Sequence, residues 1–543
     1  MKSRRSIGAR LAGCAVVGAL VLSACGSSED AEQSGNDTSS DGGDLSTAEI
    51  YATGLVNVDE DAGEPTQGGT LTIAEYSEAR TLDPAKTYAN GAAGGSALAA
   101  VYDTLMRFDH ESDSFEPQMA ESLESDDDTT WTLTLREDVT FTDGTPLDAE
   151  TVVASINRYT ENYAYQSLTL LANLADMSAT DERTVTFTLR SPWTTFPNIL
   201  AGGTGMIVAP AAYADPESFE PIGAGPFTFG NYAPGEELTL EANPDYWDGA
   251  PYLEQLRFVW LGSDEAKLDS LDSGGVDAAF VRGAQPVEKA RRDGWSGMMF
   301  GTGLGANLWV NNREGRPGED VRVRRAMDMA IDPETYLARV ADGAGEPTKA
   351  LFPESAPWHT GVEPNEYDTE AARALLEEAK ADGYDGQVSY VHAADPVSTA
   401  GAVAIEGMLE AAGFEVTLEP LRNIADQIQK IYIEFDYDLA MAATSIPEED
   451  PFIRLVGMLN SQAPENPTAY ANPDMDAALA ELQAASGPED GAEAMTKIEE
   501  LWHEEVPGIG FFGGGTFQPW QDNVHGVVPT TETMFLYGKA WKS

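Results

Sequence analysis

Alternating apolar and polar residues from Trp131 to Arg136 predict a half-buried strand, since neighbouring side chains of a strand point to opposite faces. An Asp-Gly pair at 143–144 is typical of a tight turn, and Asp148 stands where a helix N-cap is expected. Apolar residues between Val152 and Tyr159 then recur on one helical face. Residues 184 to 190 alternate again, and we expect them to pair with the first strand.

Strands and amphipathic helices follow one another along the rest of the chain. Leu71 to Ala74 predicts an opening strand, and the apolar residues from Leu98 to Met106 follow the helical period. An acidic start at Asp368 favours a helix, and an apolar stripe at 405–412 predicts another. That stripe ends at Gly413 and passes directly into alternating residues. Interleaved strands and helices predict the α/β fold class.

Seven short segments occur in an order that resembles a known family. They are Leu82–Pro84, Val101–Leu105, the 131–158 segment, Pro221–Phe227, Asn243–Tyr252, Ser273–Asp277 and Asp320–Asp332. Together they resemble the extracellular family 5 solute-binding proteins of ABC importers, the oligopeptide- and dipeptide-binding type. The likeness runs from about residue 68 to about residue 530.

This resemblance implies a two-lobed, periplasmic-binding-protein-like fold of type II. Lobe I is expected over 68–308, with an extra subdomain at about 110–220, and lobe II over 309–512. The chain then returns to lobe I over 513–543. The crossings between the lobes are expected near 307–311 and 509–517, where glycines suit a hinge.

The first residues predict export. Residues 1–24 combine a basic start, a short apolar stretch and small residues before Cys25, which is typical of a secretory signal. The ending Leu-Ser-Ala-Cys resembles a bacterial lipobox, which implies lipidation of the Cys25 thiol; the alternative is a plain signal peptide with an incidental cysteine. Residues 25–67 are rich in Ser, Gly, Asp and Glu, and predict a disordered tether. The expected location is the outer face of the cytoplasmic membrane, with a lipid anchor.

Composition excludes several classes of function. The net charge is −59, and removal of the four basic leader residues makes it −63. A surface this acidic repels nucleic acid and anionic lipid. The alternative is that the acidity reflects the habitat of the organism and has no role in ligand binding. The two cysteines lie at positions 14 and 25, so the body has no disulfide framework, thiol nucleophile or zinc–cysteine site.

Sequence patterns for catalysis are missing. None of the five histidines has the spacing of a metalloprotease helix, and neither a Gly-x-Ser-x-Gly elbow nor a phosphate-binding Gly-x-x-x-x-Gly-Lys loop occurs. Gly301 to Gly305 fails the glycine spacing of a dinucleotide loop. The acids at 448–450 are interpreted as a solvated loop. We therefore predict no catalytic residue, no metal and no cofactor.

The expected ligand contacts follow from the family's lobe-edge loops. They are Tyr88, Asn90, Asn307, Trp309, Trp358, Thr444, Ser445, Glu448, Phe517, Gln518 and Trp520. Each aromatic residue among them has core packing as its alternative. The implied partners are a peptide or small-molecule ligand and an ABC permease with its ATPase, and a monomer is expected.

One departure from the family pattern concerns the ligand class. Peptide-binding members place an aspartate a few residues before an acid-Pro pair to hold the peptide amino terminus. Here the pair is Asp450-Pro451 and the corresponding residue is Pro447, while Thr444 replaces a usual tryptophan. Glu448 or Glu449 is the candidate replacement. The alternatives are a sugar, an opine or a metal chelate as ligand, a ligand-sensing receptor, and a secreted hydrolase.

Overall fold

The computed structural model describes residues 45–59, 63–215, 218–422 and 424–543. Asp44–Ser543 forms one compact unit. The predicted signal peptide, Cys25 and the first part of the predicted tether lie outside the described residues. In the described part of the chain, no helix has both the length and the apolar character needed to cross a bilayer.

The helices have the following bounds: α1 (Thr47–Tyr51), α2 (Gly95–Tyr102), α3 (Ala149–Glu161), α4 (Ser167–Asn173), α5 (Pro197–Ala201), α6 (Asp264–Asp272), α7 (Ala284–Arg292), α8 (Val321–Ala330), α9 (Pro333–Val340), α10 (Thr369–Ala381), α11 (Pro396–Ala412), α12 (Ile424–Ile428), α13 (Phe452–Leu459), α14 (Pro473–Gln483) and α15 (Pro488–Glu505).

The strands have the following bounds: β1 (Gly54–Val56), β2 (Thr70–Glu75), β3 (Met106–Asp109), β4 (Ser114–Pro117), β5 (Ala120–Glu124), β6 (Thr130–Leu135), β7 (Leu174–Ala179), β8 (Thr184–Leu189), β9 (Phe227–Ala233), β10 (Glu237–Ala242), β11 (Gln255–Trp260), β12 (Ala278–Ala279), β13 (Ser296–Val310), β14 (Glu346–Pro347), β15 (Gln387–Ala393), β16 (Glu415–Leu421), β17 (Leu439–Ala442), β18 (Ile446–Pro447), β19 (Gly508–Trp520), β20 (Val524–His525), β21 (Val528–Pro529), β22 (Phe535–Leu536) and β23 (Trp541–Lys542).

Two long antiparallel strands, β13 and β19, form the centre of a 13-stranded sheet. On one side lie β17, β15 and β16, and on the other lie β12, β2, β11, β10 and β9. The register of β13 on β19 shifts between Thr302 and Ala306, where the regular pairing is interrupted. The two sides of this sheet are here called its wings, and β13 and β19 lie between them. The segments predicted as lobe crossings fall largely within these two strands.

A separate four-stranded sheet has the order β5-β6-β8-β7. Trp131 pairs with Phe187 and Leu133 with Val185, and all four side chains are buried, as the alternation predicts. Asp148 caps α3 by accepting a hydrogen bond from the backbone N–H of Thr151 (2.8 Å). Strand, turn, helix and second strand are all confirmed.

The helix predicted over residues 98–106 is shorter than its apolar pattern. Helix α2 ends at Tyr102, because Asp103 takes a positive φ of 57°, and Met106 already begins β3. The buried side chains at 105 and 106 belong to a different core, around the small sheet. The apolar spacing alone does not show that residues 98–102 and residues 105–106 belong to two different cores.

Residues 45–58, here called the N-terminal segment, correct the prediction that 25–67 is a disordered tether. Ile50 and Tyr51 of α1 are buried, and β1 pairs with Gly297–Met299 of β13. Arg291 donates hydrogen bonds to the carbonyl oxygens of Ile50 (2.9 Å) and Glu49 (2.7 Å). A few apolar residues within a polar stretch thus suffice for docking, because the sheet supplies the backbone partners.

Candidate ligand site

A large cavity, here called the tyrosine cavity, has a volume of about 790 Å³. Its walls come from the stretch after β2, the α3–α4 region, β13 and the loop and helix after β17. Five aromatic side chains line these walls: Tyr88, Tyr163, Tyr165, Trp309 and Tyr432. The ring centroids of Tyr88 and Tyr165 are 3.9 Å apart.

The charged residues of the tyrosine cavity are mainly cations. Arg80, Lys86 and Arg454 line it together with one acid, Glu465. Arg80 and Lys86 are exposed, so their charges are partly screened by solvent. This local surplus of positive charge contrasts with the net charge of −59.

Beside this cavity, an ion pair joins two distant parts of the chain. Arg454 of α13 lies 3.0 Å from Glu532, which is 8 % exposed. Glu532 also accepts hydrogen bonds from the Tyr165 hydroxyl (3.1 Å) and the Gln166 amide (2.9 Å). Its backbone has a φ of 57°, a costly conformation for a residue with a side chain. This buried cluster fixes the C-terminal turn against α13.

A narrow gap of about 80 Å³ continues from the ion pair and is lined by Arg454, Glu532, Asn90, Ser445 and Glu449. Glu449 accepts hydrogen bonds from the Thr531 hydroxyl and from the backbone N–H of Glu532, both at 3.0 Å. Burial raises the pKa of Glu449 and of Glu532 above the usual range of a carboxyl.

A further cavity of about 490 Å³, here called the Glu448 cavity, lies on the other side of Glu449. Trp358 lines it and donates a hydrogen bond from its indole N–H to the backbone carbonyl of Glu448 (2.7 Å). The Thr53 hydroxyl donates to Glu448 Oε2 (2.6 Å). Burial raises the pKa of Glu448 to about 7.

The next acid, Asp450, has a structural role. It is 1 % exposed, accepts a hydrogen bond from the Asn198 amide (3.0 Å) and caps the start of α13 through the N–H of Phe452 (3.1 Å). Burial raises the pKa of Asp450 to about 7. The acidic run 448–450 is therefore not a solvated loop, which corrects the interpretation from sequence.

Eight of the eleven predicted contact residues lie in or beside these three spaces. Tyr88, Trp309 and Thr444 line the tyrosine cavity, Asn90 and Ser445 the gap, and Trp358 and Glu448 the Glu448 cavity. Asn307 is fully buried and accepts a hydrogen bond from the Thr444 hydroxyl (2.8 Å). The loop after β17 therefore brings most of the predicted residues together.

The other three predicted contacts lie elsewhere. Phe517 and Trp520 belong to hydrophobic cores, and Trp520 packs edge-on against Phe535. The Gln518 amide donates to the Tyr537 hydroxyl (3.2 Å). Their side chains lie inside the protein and line none of the three spaces, unlike Thr516 of the same strand, which lines the gap.

Sequence reasoning missed Arg454, Glu532 and Tyr165. Tyr163 and Tyr165 stand two positions apart in the sequence of the predicted extra subdomain, and this spacing was the available signal. Glu532 stands among threonines near the C-terminus with no pattern that marks it. Its role depends on a turn that brings it to α13 from 78 residues away.

Comparison with known proteins places the chain in a family. The model of the bacterial extracellular solute-binding proteins, family 5 Middle, matches residues 114–485, more than half of the chain. The chain is 28 % identical to Protein XP55 of Streptomyces lividans over 83 % of its own length and 86 % of the relative's. It is 26 % identical to the probable D,D-dipeptide-binding periplasmic protein DdpA of Escherichia coli K12, over 75 % and 81 % of the two chains.

Among solved structures, the periplasmic binding protein DppA of Helicobacter pylori in complex with the peptide STSA superposes with a TM-score of 0.73. The identity is 21 %, and the match covers 88 % of this chain and 98 % of the other, so this likeness concerns the fold. The protein belongs to the bacterial extracellular solute-binding proteins of family 5. Its two-lobed α/β fold and its function as an extracellular solute-binding protein are those predicted from sequence.

Proposed function

We propose that the protein captures an extracellular peptide between its two sheet wings, encloses it and delivers it to an ABC permease with its ATPase. The wings correspond to the lobes at 68–308 and 309–512, with the return at 513–543. Buried polar atoms that have no hydrogen-bond partner among the described residues support the proposal: Asn90 Oδ1, Asn307 Nδ2 and Arg454 Nε. These atoms lie in or beside the tyrosine cavity and the gap, where peptide N–H and C=O groups would satisfy them.

Closure is proposed as a two-state equilibrium that the ligand shifts. The Arg454–Glu532 pair and the Asp450–Asn198 bond join segments assigned to different lobes, so both belong to the closed form. A ligand stabilises this form only by its greater affinity for it. Exclusion of water strengthens each polar contact made inside.

The two ends of the bound peptide are assigned by charge. Glu449 already accepts two hydrogen bonds, whereas Glu448 has a side-chain donor only on Oε2 among the described residues. Glu448 is therefore the better replacement for the family's aspartate and would hold the peptide ammonium group. Arg80 and Lys86 would attract the carboxylate end within the tyrosine cavity.

The remaining parts of the proposal follow from the leader and the family. Cleavage before Cys25 and lipidation of its thiol would anchor a monomeric protein at the outer face of the cytoplasmic membrane. The protein binds and releases its ligand unchanged, without enzymatic activity.

A thermal-shift screen of the purified mature protein tests the ligand class. Di- to hexapeptides with a free amino group should raise the Tm, and a ligand at 100 times its Kd adds about 2.7 kcal/mol to the free energy of unfolding. N-acetylation of an active peptide, or Glu448→Gln, should greatly reduce the shift. A shift by sugars, opines or chelates and by no peptide would contradict the peptide proposal and leave the binding function intact.

A second ligand class has one observation in its favour. The many tyrosines of the large cavity, with Trp309, offer flat faces of the kind that stack on sugars. Oligosaccharides in the same screen test it, with Tyr88→Ala as the variant, because Tyr88 is 54 % exposed and its loss leaves the core intact. A sugar-induced shift that disappears in Tyr88→Ala would favour this class.

A further inference from the structure

The N-terminal segment lies against the Glu448 cavity. Thr53 and Gly54 are among the residues that line this cavity, together with Glu448 and Glu449. The segment is held at both ends: Arg291 binds the carbonyls of α1, and the Ser296 hydroxyl donates to the carbonyl of Asn57 (2.7 Å). This part of the wall is therefore built from residues that precede β2.

Thr53 links the two sides of this wall. Its hydroxyl accepts a hydrogen bond from the backbone N–H of Gly301 (2.7 Å) and donates to Glu448 Oε2 (2.6 Å). Since its oxygen accepts from a fixed backbone N–H, its single proton is directed towards the carboxylate. The Thr53 hydroxyl thus fixes the position of one oxygen of Glu448.

The close packing at Gly301 restricts the positions of Thr53 and Glu448. A Cβ atom at Gly301 would lie 2.8 Å from Glu448 Oε1, 2.9 Å from Thr53 Oγ1 and 2.9 Å from the carbonyl oxygen of Tyr51. Only glycine allows the segment, the strand and the carboxylate to approach so closely. Gly301 also directly precedes Thr302, where the register of β13 on β19 begins to shift.

From these contacts we infer that the N-terminal segment forms one wall of the ligand site, and that Thr53 is a positioning residue that sets the orientation and charge of Glu448. The segment is thus part of the binding domain, although its sequence is that of a tether. The consequence for ligand specificity rests on the proposed function: Thr53 would favour the ionised Glu448 that an ammonium group requires. The Thr53–Glu448 coupling itself is testable without ligand.

The charges around Glu448 explain why a positioning donor is needed. Glu449, Glu346 and Asp113 face it and disfavour its ionised form, and burial has the same and larger effect. His110, which lines the same cavity, brings no positive charge near neutral pH because burial lowers its pKa to about 4. The hydrogen bond from Thr53 is the main contact that lowers the pKa of Glu448.

The sign of the pH effect follows from linkage. The pKa of Glu448 is raised from 4.5 to about 7, so its neutral form stabilises the folded protein. This stabilisation is lost as pH rises through this range. Thr53→Val keeps the shape of the side chain and removes the hydroxyl, and we expect it to raise the proton affinity of Glu448 about tenfold. The variant should therefore lose more stability at pH 8 than at pH 5.

The test measures Tm between pH 5 and pH 8 for the mature wild-type protein, Thr53→Val, Thr53→Ser, Glu448→Gln and the Thr53→Val/Glu448→Gln double variant. We expect the extra loss of Tm at pH 8 in Thr53→Val, its recovery in Thr53→Ser, and its disappearance when Glu448 is glutamine. Thr53→Ala gives the same comparison if valine prevents folding.

Two outcomes would overturn the inference. The first is a loss of Tm in Thr53→Val that is equal at pH 5 and pH 8, and the second is a pH-dependent loss that persists in the double variant. Neither outcome involves a peptide, so failure here is distinct from failure of the ligand screen.

Discussion

At the scale of single residues, buried charge is the main feature of this site. Arg454 and Glu532 form a pair whose carboxylate is almost inaccessible to water, supported by Tyr165 and Gln166. Such a pair adds little over an apolar equivalent, but the loss of one partner leaves an uncompensated charge. The pair therefore affects which arrangement of α13 and the C-terminal turn is formed more than it adds to the stability of the protein.

Arg454→Met should reduce the free energy of unfolding by about 3 kcal/mol, because Glu532 then stays buried without its cation. Urea denaturation at pH 7 measures the loss. Lys497→Met is the matched control, since Lys497 forms an exposed pair with Glu500 on α15 and should have a much smaller effect. Equal losses in the two variants would contradict this account of the pair.

Glu75 on β2 gives a prediction about pH. It is 2 % exposed, burial raises its pKa from 4.5 to about 8, and its nearest cation, Lys267, already binds Asp264 and the carbonyl of Phe280. Stability from the neutral carboxyl is complete below pH 4.5 and is lost as pH rises through 8. Glu75→Gln should remove this loss, which is on the order of 5 kcal/mol.

The measurement is the Tm of Glu75→Gln and of wild type at pH 5 and pH 9. We expect a clear gain for the variant at pH 9 and little difference at pH 5. Glu363→Gln, at an exposed position, should show no such gain. A Glu75 variant that is less stable than wild type at pH 9 would show that the charged form is the native one.

At the scale of elements, β13 and β19 decide how the site is assembled. Glycines along both strands admit neighbouring backbone and side chains at short range. A Cβ atom at Gly515 would lie 2.3 Å from the carbonyl oxygen of Phe300 and 2.3 Å from Met299 Cε. The pairing of the two strands thus requires glycine at this position.

Gly515→Ala should cost about 2 kcal/mol, since the backbone of β13 must shift to admit the methyl group. Gly407→Ala is the control: Gly407 lies in α11 with open space around it, and alanine there should add about 0.5 kcal/mol. Urea unfolding of both variants measures the difference. A Gly515→Ala protein as stable as wild type would mean that β13 and β19 can shift to admit the methyl group without a loss of stability.

Elements with regular patterns were predictable from sequence, and those fixed by contacts were not. Strand β6 and the Asp148 cap of α3 follow from alternation and local hydrogen bonding. The end of α2 does not, because Met106 continues the apolar spacing into a strand of another core. Strand β1 has no pattern of its own and exists because β13 offers it an edge.

At the scale of the whole molecule, the surplus of acids is a long-range effect. The acidic side chains responsible for the net charge of −59 repel one another in any compact state, and salt weakens this repulsion. Against this background, the cations of the tyrosine cavity stand out as a local exception. The charged residues that line this cavity thus carry mainly the opposite sign to the net charge of the molecule.

Added salt should stabilise the protein. Raising NaCl from 0.01 M to 1 M shortens the screening length from about 30 Å to about 3 Å, so the Tm should rise by several degrees. Thermal unfolding at fixed pH measures the change, with KCl as the control for ion-specific effects. A Tm that falls with NaCl would mean that favourable ion pairs outweigh the net repulsion.

The sequence by itself determined the family and the α/β class, because ordered segments and regular periodicity are local properties of a chain, and it predicted most of the residues that line the candidate site. Only the tertiary structure decided which side chains meet there. Glu532 reaches Arg454 and Thr53 reaches Glu448 across 78 and 395 residues, and the side chains of Phe517 and Trp520 enter the core. Such contacts depend on which elements pack together, and packing is a property of the whole fold.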